Sequence, residues 1–469
     1  MLIHRISMYI CSMYTRMKKI STIILMIQCI VLQAQPLDRS IDSLMLSQYK
    51  PGGTGAVVLV SKKGKILYKK AYGFANFELH AEMRPEMVFE IASITKQFTA
   101  TAILMLEEEG KLSVTDDITK YIDFPSKNKI TIHMLLNHTS GLNDLSMMDY
   151  ISFACGRREF IPLQFMERFK QEAAIYKPGE KWAYNNAAYF ILGYIIEKVS
   201  GLKYEDFIQN RIFDPLQMNN SYCQVGNMRK LIRNRAYGYD VDQTTYNAEF
   251  LYMFQAYSAG CILSTVEDMN KWNTGLNTYK LLKKENTEKL YVNYKLDNGE
   301  NTNYGYGFLL NNINGSISYE HGGGAPGFSS NGIYLPKEEI YVIVLSNCKG
   351  NDPEKISIYI AGLAINRPLK RTEIKIDDEK LKEYTGIFKS ETDNVFFEIT
   401  FENSNLFFQK KDAQQLPLSK KYRISPGATD IFFAVDKFYD FTFTRNENLQ
   451  VTGITIKTRR RMQIEKGRK

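Results

Sequence analysis

Ser93 and Lys96 open an apolar stretch that runs to Glu109 and stops at Gly110, where a helix C-terminus favours glycine. Residues three apart in a helix lie on one face, so the lysine amine can reach the serine hydroxyl. The first turns are apolar or small on nearly all sides, which predicts a buried helix. Burial lowers the pKa of a lysine because it disfavours the charged form. The pair therefore predicts a nucleophilic serine that is activated by a neighbouring amine.

Spacing alone does not identify the functional pair, because Ser-x-x-Lys occurs four more times in the chain. The other pairs are Ser47/Lys50, Ser126/Lys129, Ser200/Lys203 and Ser346/Lys349. Of the five, Ser93 is the one followed by a sustained helical run. On this stretch alone a second interpretation stays open, in which Ser93 is a helix N-cap and Lys96 a surface residue.

The N-terminal residues have the pattern of an export signal. A basic pair precedes the apolar residues 20–32, and the small Ala34 follows them. We expect residues 1–34 to be a signal peptide, with Met17 as an alternative start that gives a more usual signal length. A retained membrane anchor is the other interpretation, although the apolar stretch is short for a span. The expected location is periplasmic or extracellular, with no stable membrane span after signal removal.

Charge and metal-ligand spacing exclude several functional classes. The formal net charge is +9, but residues 1–34 hold four basic residues and no acid, and residues 458–469 contribute a net +5. The body of the chain is therefore near neutral, and nucleic acid is not an expected partner. The cysteines form no Cys-x-x-Cys pair, and His133 and His138 lack the spacing of a helical metal motif. We expect no disulfide framework, metal site or cofactor.

Two sets of strand patterns lie far apart in the chain. The predicted strands are Gly55–Ser61, Lys65–Tyr72, Ser316–Glu320, Phe328–Leu335 and Ile340–Ser346. Gly322–Gly324 and Pro336–Glu339 are predicted turns. The sequence between the sets is mostly helical, with apolar residues at helical spacing from Tyr189 to a stop at Gly201. This order predicts an α+β fold: an antiparallel sheet built from both ends and flanked by helices, plus a helical subdomain, with the active site between them.

From about residue 372 the pattern changes to short alternating runs. They include Val395–Phe401, Leu406–Phe408, Phe438–Phe443 and Val451–Ile456. Such runs, separated by Asn, Asp, Gly and Lys, are typical of an all-β barrel or sandwich. We predict a first domain over residues 36–365, a linker over residues 366–371 and a separate β domain over residues 372–469.

Two more motifs follow the Ser93 pair in order, Tyr184-Asn185-Asn186 and His321-Gly322-Gly323. Supporting phrases are Leu135–Leu142, Lys177–Gly179 before Trp182, and Gly260–Thr265 before Asp268. Together they resemble the serine β-lactamase and penicillin-binding-protein superfamily over residues 40–365. The resemblance is to the class C β-lactamase-related hydrolases, which include D,D-peptidases, D-aminopeptidases and esterases. The C-terminal residues, opening with Leu381–Phe388, are similar to the lipocalin-like β domain often appended to such enzymes.

The resemblance implies a role for each catalytic residue. Ser93 would be the nucleophile that forms an acyl-enzyme, and Lys96 would hold or take its proton. Tyr184 would carry a proton between Ser93 and the leaving group. Whether Lys96 or Tyr184 is the base in acylation stays open. His138 lies in one of the supporting phrases, and we expect it to be a hydrogen-bonded structural residue.

The same resemblance implies the binding residues. Asn186 would orient the substrate amide and Lys96, while His321 and Gly323 would lie beside the substrate. The backbone N–H groups of Ser93 and Gly324 would form an oxyanion hole.

One motif departs from the β-lactamase pattern. Where those enzymes usually carry Lys-Thr-Gly, this chain has His321-Gly322-Gly323, without the fixed charge and hydroxyl that grip a β-lactam carboxylate. We therefore expect a secreted serine hydrolase that cleaves an ester, an amide or a D-amino-acid-containing peptide, and β-lactams weakly. The alternative is a non-catalytic penicillin- or peptidoglycan-binding protein. The sequence identifies neither the acyl group, the leaving group nor the oligomeric state.

Overall fold

The computed structural model describes residues 37–125, 128–144, 166, 174–225, 231–241, 245–247, 253–350, 352–391, 394–435, 438–459 and 464–468. The predicted signal peptide therefore lies outside the described residues. The chain divides into two compact units, residues 1–48 and residues 49–469. In the first unit the described part is one helix, α1. None of the helices among the described residues has the length and apolar character needed to cross a membrane.

The described residues form the following helices and strands. The α-helices are α1 Leu37–Gln48, α2 Thr95–Glu108, α3 Ile132–Leu136, α4 Asn186–Ser200, α5 Tyr204–Ile208, α6 Asp214–Leu216, α7 Val266–Asn277, α8 Lys284–Lys289, α9 Pro353–Ala364 and α10 Asp378–Lys382. The 3-10 segments are Ala92–Ile94, Ile118–Lys120 and Met253–Ala259, and Gln209–Phe213 is a π-helical turn. The strands of the first part are β1 Ala56–Lys62, β2 Lys65–Tyr72, β3 Phe74–Asn76, β4 Ala81–Glu82, β5 Phe89–Glu90, β6 Tyr222–Cys223, β7 Tyr239–Val241, β8 Thr245–Asn247, β9 Ile262–Ser264, β10 Leu309–Ile313, β11 Ser316–Ala325, β12 Phe328–Leu335 and β13 Ile340–Ser346. The C-terminal strands are β14 Gly386–Ser390, β15 Phe396–Glu402, β16 Asn405–Lys411, β17 Tyr422–Ala428, β18 Ile431–Ala434, β19 Tyr439–Arg445, β20 Val451–Thr458 and β21 Ile464–Arg468.

The main sheet joins both ends of the first predicted domain, as expected from the order of its strand patterns. Its six antiparallel strands lie in the order β10-β11-β12-β13-β1-β2, so the late strand β13 pairs with the early strand β1, with Val60 opposite Val342. Every residue of β13 is buried, because α7 packs on β13 and β1 while α9 packs on β12 and β13. This two-sided burial explains why β1 and β13 read as continuous apolar runs rather than alternating ones. The α+β prediction is confirmed.

The predicted turn at Gly322–Gly324 is wrong. Strand β11 continues through these glycines to Ala325, and their backbones pair with residues 329–331 of β12. The chain turns immediately afterwards, where Gly327 has a φ of +74°. Cross-strand pairing satisfies the backbone groups of the glycine run, so a local turn preference does not decide its conformation.

Strand β11 contacts the segment that carries Ser93 backbone to backbone. The 3-10 turn Ala92–Ile94 leads into α2, and Ala92 adopts a φ of +46°, a left-handed conformation that is unfavourable for a residue with a Cβ. A Cβ added at Gly323 would lie 2.1 Å from the carbonyl oxygen of Ile91. The Ser330 hydroxyl also donates to that oxygen, at 3.1 Å. The sheet therefore holds the strained turn from one side.

Replacing Gly323 by Ala should push β11 away from the Ser93 turn, because the new methyl group would overlap a backbone oxygen. We expect a loss of about 1 to 3 kcal/mol in the free energy of unfolding, the usual range for overpacking. The matched control is Gly324→Ala, where an added Cβ meets no atom within 4 Å. Thermal unfolding of the two variants measures the difference, and equal melting temperatures would contradict the close contact.

The C-terminal strands β14 to β21 form a closed antiparallel barrel in sequence order. Its interior is filled by apolar side chains that are at most 3% exposed, among them Phe388, Phe397, Phe408, Phe432 and Phe441. This core is a cluster of its own, distinct from the core of the sheet and helices. Of the two predicted β architectures, the barrel is the one observed.

The barrel docks on the strand that carries the His-Gly-Gly motif. Arg459, which follows β20, donates to Glu320 of β11 at 2.6 Å and to the carbonyl oxygen of Asn312 at 2.7 Å. The side chain of Glu320 is 3% exposed, so this ion pair is buried. On α9, the Lys355 amine donates to the carbonyl oxygen of Val435 at 3.0 Å. The domain limits at residues 365 and 371 stay a prediction.

Replacing Arg459 by Met should destabilise the protein by about 3 to 5 kcal/mol, because it leaves the Glu320 carboxylate buried without its cation. The matched control is Arg468→Met, which removes an ion pair with Glu391. The side chain of Arg468 is 81% exposed. That change should cost at most about 1 kcal/mol. Denaturant unfolding of both variants is the measurement, and comparable losses would contradict a docking role for the buried pair.

Candidate active site

Lys96 lies in the first turn of α2 and its side chain is fully buried. Its Nζ donates to Asn186 Oδ1 at 2.9 Å and to the carbonyl oxygen of Ala259 at 2.8 Å, and lies 3.2 Å from Ser93 Oγ. The three partners come from three separate elements: the start of α4, the end of the 3-10 segment Met253–Ala259, and the turn before α2. Each proton of an ammonium group therefore has an oxygen to accept it.

Burial lowers the pKa of Lys96 from its usual 10.5 to about 7, and the nearby charge of Asp144 raises it in part. A large fraction of the amine is then neutral at pH 7. A neutral amine has two N–H groups and one lone pair. Asn186 Oδ1 and the Ala259 carbonyl can only accept, so they take the two protons. The lone pair is left for the Ser93 hydroxyl, which is the geometry of a base that can take its proton.

The structure excludes the second interpretation of this segment, in which Ser93 is a helix N-cap and Lys96 a surface residue. Helix α2 begins at Thr95, its N-cap is Ile94, and no side chain caps it, so the Ser93 hydroxyl is not a helix cap. Every residue of α2 from Thr95 to Leu106 is buried, as the apolar pattern predicted. Gly110 follows with a φ of +69°, the left-handed conformation typical of a helix end.

A strained turn aims the Ala259 carbonyl at Lys96. Tyr257 has φ +40° and ψ −135°, which breaks the 3-10 segment. The next residue, Ser258, donates through its hydroxyl to the carbonyl oxygen of Tyr189 on α4, at 2.9 Å. Helix α4 has a glycine at this contact: a Cβ on Gly193 would lie 2.1 Å from Ser258 Oγ. The close approach of turn and helix holds a conformation that would otherwise relax.

Asp144 is a site residue that the sequence interpretation missed. Its carboxylate accepts from the backbone N–H of Asn186 at 2.7 Å, from that of Ala187 at 3.2 Å, and from Asn186 Nδ2 at 3.3 Å. Burial raises the pKa of Asp144, while these hydrogen bonds and the Lys96 charge oppose that effect. An acidic group at a helix N-terminus is favourable. No local sequence pattern identifies Asp144 as a site residue, because its hydrogen-bond partner Asn186 lies 42 residues later in the chain.

Tyr184 lies beside the Lys96 amine. Its ring centroid is 4.8 Å from Lys96 Nζ, 4.5 Å from the ring of His138 and 6.1 Å from the ring of His321. His138 is fully buried with a φ of +63°, and its Nδ1 accepts from the backbone N–H of Asn185 at 3.1 Å. His138 thus supports the segment that carries Tyr184 and Asn186, in agreement with its expected structural role.

His321 lies on β11 and is 3% exposed. Its Nδ1 is 2.7 Å from the carbonyl oxygen of Gly322, and its Nε2 is 3.0 Å from the Tyr304 hydroxyl. These contacts fit a neutral imidazole that donates from Nδ1 and accepts at Nε2. Both nitrogens are thus engaged within the protein, and substrate contact by His321 stays a prediction.

The two glycines after His321 differ in their surroundings. Gly323 is buried against the Ile91 carbonyl, whereas Gly324 is exposed and has open space around its Cα. The structure thus brings β11 against the turn that carries Ser93. An oxyanion hole formed by the N–H groups of Ser93 and Gly324, and substrate contact by Gly323, stay predictions.

Comparison with known proteins agrees with this geometry. The Beta-lactamase family model matches residues 38–366. Penicillin-binding protein 4* of Bacillus subtilis (strain 168) is 30% identical over 418 residues, which cover 83% of this chain and 90% of that protein. The octameric penicillin-binding protein homologue from Pyrococcus abyssi is 25% identical, with a TM-score of 0.64 over 92% of this chain and 99% of its own. The D-amino acid amidase from Ochrobactrum anthropi SV3 shares the fold, with 23% identity and a TM-score of 0.62 over 70% of this chain and 99% of its own. The chain therefore belongs to the beta-lactamase family.

Proposed function

We propose that this protein is a serine hydrolase that acts through an acyl-enzyme on Ser93 and cleaves an ester, an amide or a D-amino-acid-containing peptide. The observation that carries the proposal is the buried Lys96 amine, 3.2 Å from Ser93 Oγ and hydrogen-bonded to two oxygen atoms, Asn186 Oδ1 and the Ala259 carbonyl oxygen. A pure binding protein has no need to bury an amine of lowered pKa against a serine hydroxyl. The names of the relatives, penicillin-binding protein and D-amino acid amidase, support acyl compounds as the substrate class.

Acylation begins when Ser93 Oγ attacks the substrate carbonyl carbon. The hydroxyl proton passes to the lone pair of Lys96 Nζ, and the carbonyl π electrons move onto oxygen. The backbone N–H groups of Ser93 and Gly324 stabilise that oxyanion, and one such donor is worth about 3 kcal/mol. The oxyanion then collapses, the bond to the leaving group breaks with its electron pair on the leaving group, and Tyr184 gives that group a proton that the Lys96 ammonium replaces. Water attacks the resulting ester by the reverse route and releases the acid.

Substrate binding falls to the groups around this centre. Asn186 orients both the substrate amide and Lys96, while His321 and Gly323 line the site from β11. The Lys-Thr-Gly cation of β-lactamases has no counterpart in the His-Gly-Gly motif, so β-lactams are weak substrates in this proposal. Export through the signal peptide at residues 1–34 delivers the enzyme to the periplasm or the extracellular space.

The alternative, a non-catalytic binding protein, has less support. Side chains of the described strands fill the interior of the barrel, while a cavity at its rim is lined by Tyr384, Asp430 and Arg445. The pairing of Ser93 with the buried Lys96 amine, which a binding role does not require, favours the hydrolase.

Ser93→Ala should fold normally but lose all covalent labelling by a fluorophosphonate or a labelled penicillin, because every other group only assists that oxygen. The wild-type chain is the positive control, and thermal unfolding checks that the variant is intact. Labelling that persists in Ser93→Ala would refute the acyl-enzyme. A panel of nitrocefin, nitrophenyl esters and D-alanyl peptides then identifies the acyl and leaving groups.

The rate of acylation should rise with pH through about 7 and level off above it. Lys96 accepts the Ser93 proton in its neutral form, and its pKa is about 7. Below that pH the amine is protonated and has no lone pair. Lys96→Ala should slow acylation by about 10²-fold or more and remove this rise, and Tyr184→Phe should slow it to a similar degree. Single-turnover kinetics against pH make the measurement. A wild-type rate that is flat between pH 5 and 9 would exclude Lys96 as the base.

A further inference from the structure

We propose that Asp144 is a positioning residue that holds the side-chain amide of Asn186 in the orientation that leaves the Lys96 lone pair to Ser93. The inference rests on the proposed function, because it concerns how the base is prepared for acylation.

The contacts of the Asn186 amide carry the inference. Asp144 Oδ2 accepts from Asn186 Nδ2 at 3.3 Å, while Asp144 Oδ1 accepts from the backbone N–H groups of Asn186 and Ala187 at 2.7 and 3.2 Å. On its other side the amide presents Oδ1 to Lys96 Nζ at 2.9 Å. A carboxylate can only accept hydrogen bonds, so it selects the nitrogen end of the amide. The oxygen end is then left facing the lysine.

The opposite orientation would disable the base. With the amide reversed, Nδ2 would face the amine and donate to its lone pair, in competition with the Ser93 hydroxyl. Asn186 has no means of its own to prevent this, because both ends of an amide are nearly equal in shape. Asp144 distinguishes the two ends of the Asn186 amide, because its carboxylate accepts from the nitrogen end. This interaction requires no contact with the substrate.

Asp144 also acts on Lys96 through its charge. Among the described residues, the other groups in contact with the amine are uncharged: the rings of Tyr184 and Tyr189, 4.8 and 5.6 Å from Nζ, the amide of Asn186, the Ala259 carbonyl and the Ser93 hydroxyl. Asp144 itself has the phenol of Tyr176 in its vicinity, where burial raises the pKa of that phenol to about 12 and the charges of Asp144 and Glu180 add to the effect. Removing the Asp144 charge should therefore lower the pKa of Lys96, since that charge favours the ammonium form.

Asp144→Asn separates these effects from a loss of packing. Its Oδ1 still accepts from the backbone of α4, but its new NH₂ group faces Asn186 Nδ2 and drives the amide to reverse. We expect the plateau rate of acylation to fall at least about tenfold, and the pH at half-maximal rate to move below the wild-type value. Single-turnover acylation by a nitrophenyl ester between pH 5 and 9 measures both.

The swapped variant Asp144→Asn/Asn186→Asp restores a donor opposite every acceptor and moves the charge next to Lys96. We expect it to regain part of the plateau rate, with its half-maximal pH above the wild-type value. This variant keeps the test decisive if Asp144→Asn alone does not fold, because a half-maximal pH equal to that of the wild type would overturn the inference.

Asp268→Asn is the matched control. Asp268 is a fully buried carboxylate that also accepts from a backbone N–H, that of Asn220 at 2.7 Å, but it does not contact the site. The Asp268→Asn variant should lose thermal stability without a change in the pH profile of the acylation rate. An Asp144→Asn variant whose pH profile is likewise unchanged would overturn the inference.

Labelling of Ser93 separates the two proposals. Without labelling of the wild-type protein, the hydrolase function fails. Normal labelling together with superimposable pH profiles refutes only the role of Asp144.

Discussion

The candidate site depends on the burial of one amine. Removing the Lys96 charge from water costs several kcal/mol unless its N–H groups find acceptors. Asn186 and Ala259 supply two of them, and Ser93 Oγ lies within reach of the third. The same burial brings the pKa to about 7. A single desolvated group thus links the packing of α2 to the chemistry proposed for Ser93.

Strand β11 supports this arrangement from the other side of the Ser93 turn. It contacts the Ile91 carbonyl through Gly323, where no side chain separates the two backbones. One residue before His321, the same strand carries Glu320, whose partner Arg459 belongs to the barrel. The main sheet, the strained turn at Ala92 and the C-terminal barrel therefore meet along one strand. A shift of β11 would therefore change both the backbone contact at the Ser93 turn and the Glu320–Arg459 contact with the barrel.

Local patterns predicted several elements closely. The strands predicted at Lys65–Tyr72, Phe328–Leu335 and Ile340–Ser346 have the same limits in the structure, and α2 is buried as its apolar residues indicated. These features depend on residues that are neighbours in the chain. The glycine run at Gly322–Gly324 was misjudged, because its conformation follows from pairing with β12 and not from its own turn preference.

The sequence by itself determined many of the elements, and it placed Ser93 and Lys96 three residues apart, a spacing that lets helical turns bring their side chains together. Only the tertiary structure decided what surrounds the amine. Asp144 and Ala259 carry no motif, and their partners lie 42 and 163 residues away. Each supplies an oxygen atom at a fixed position in a site that excludes water. That position, and the desolvation of the Lys96 amine, arise only when distant segments of the chain pack together.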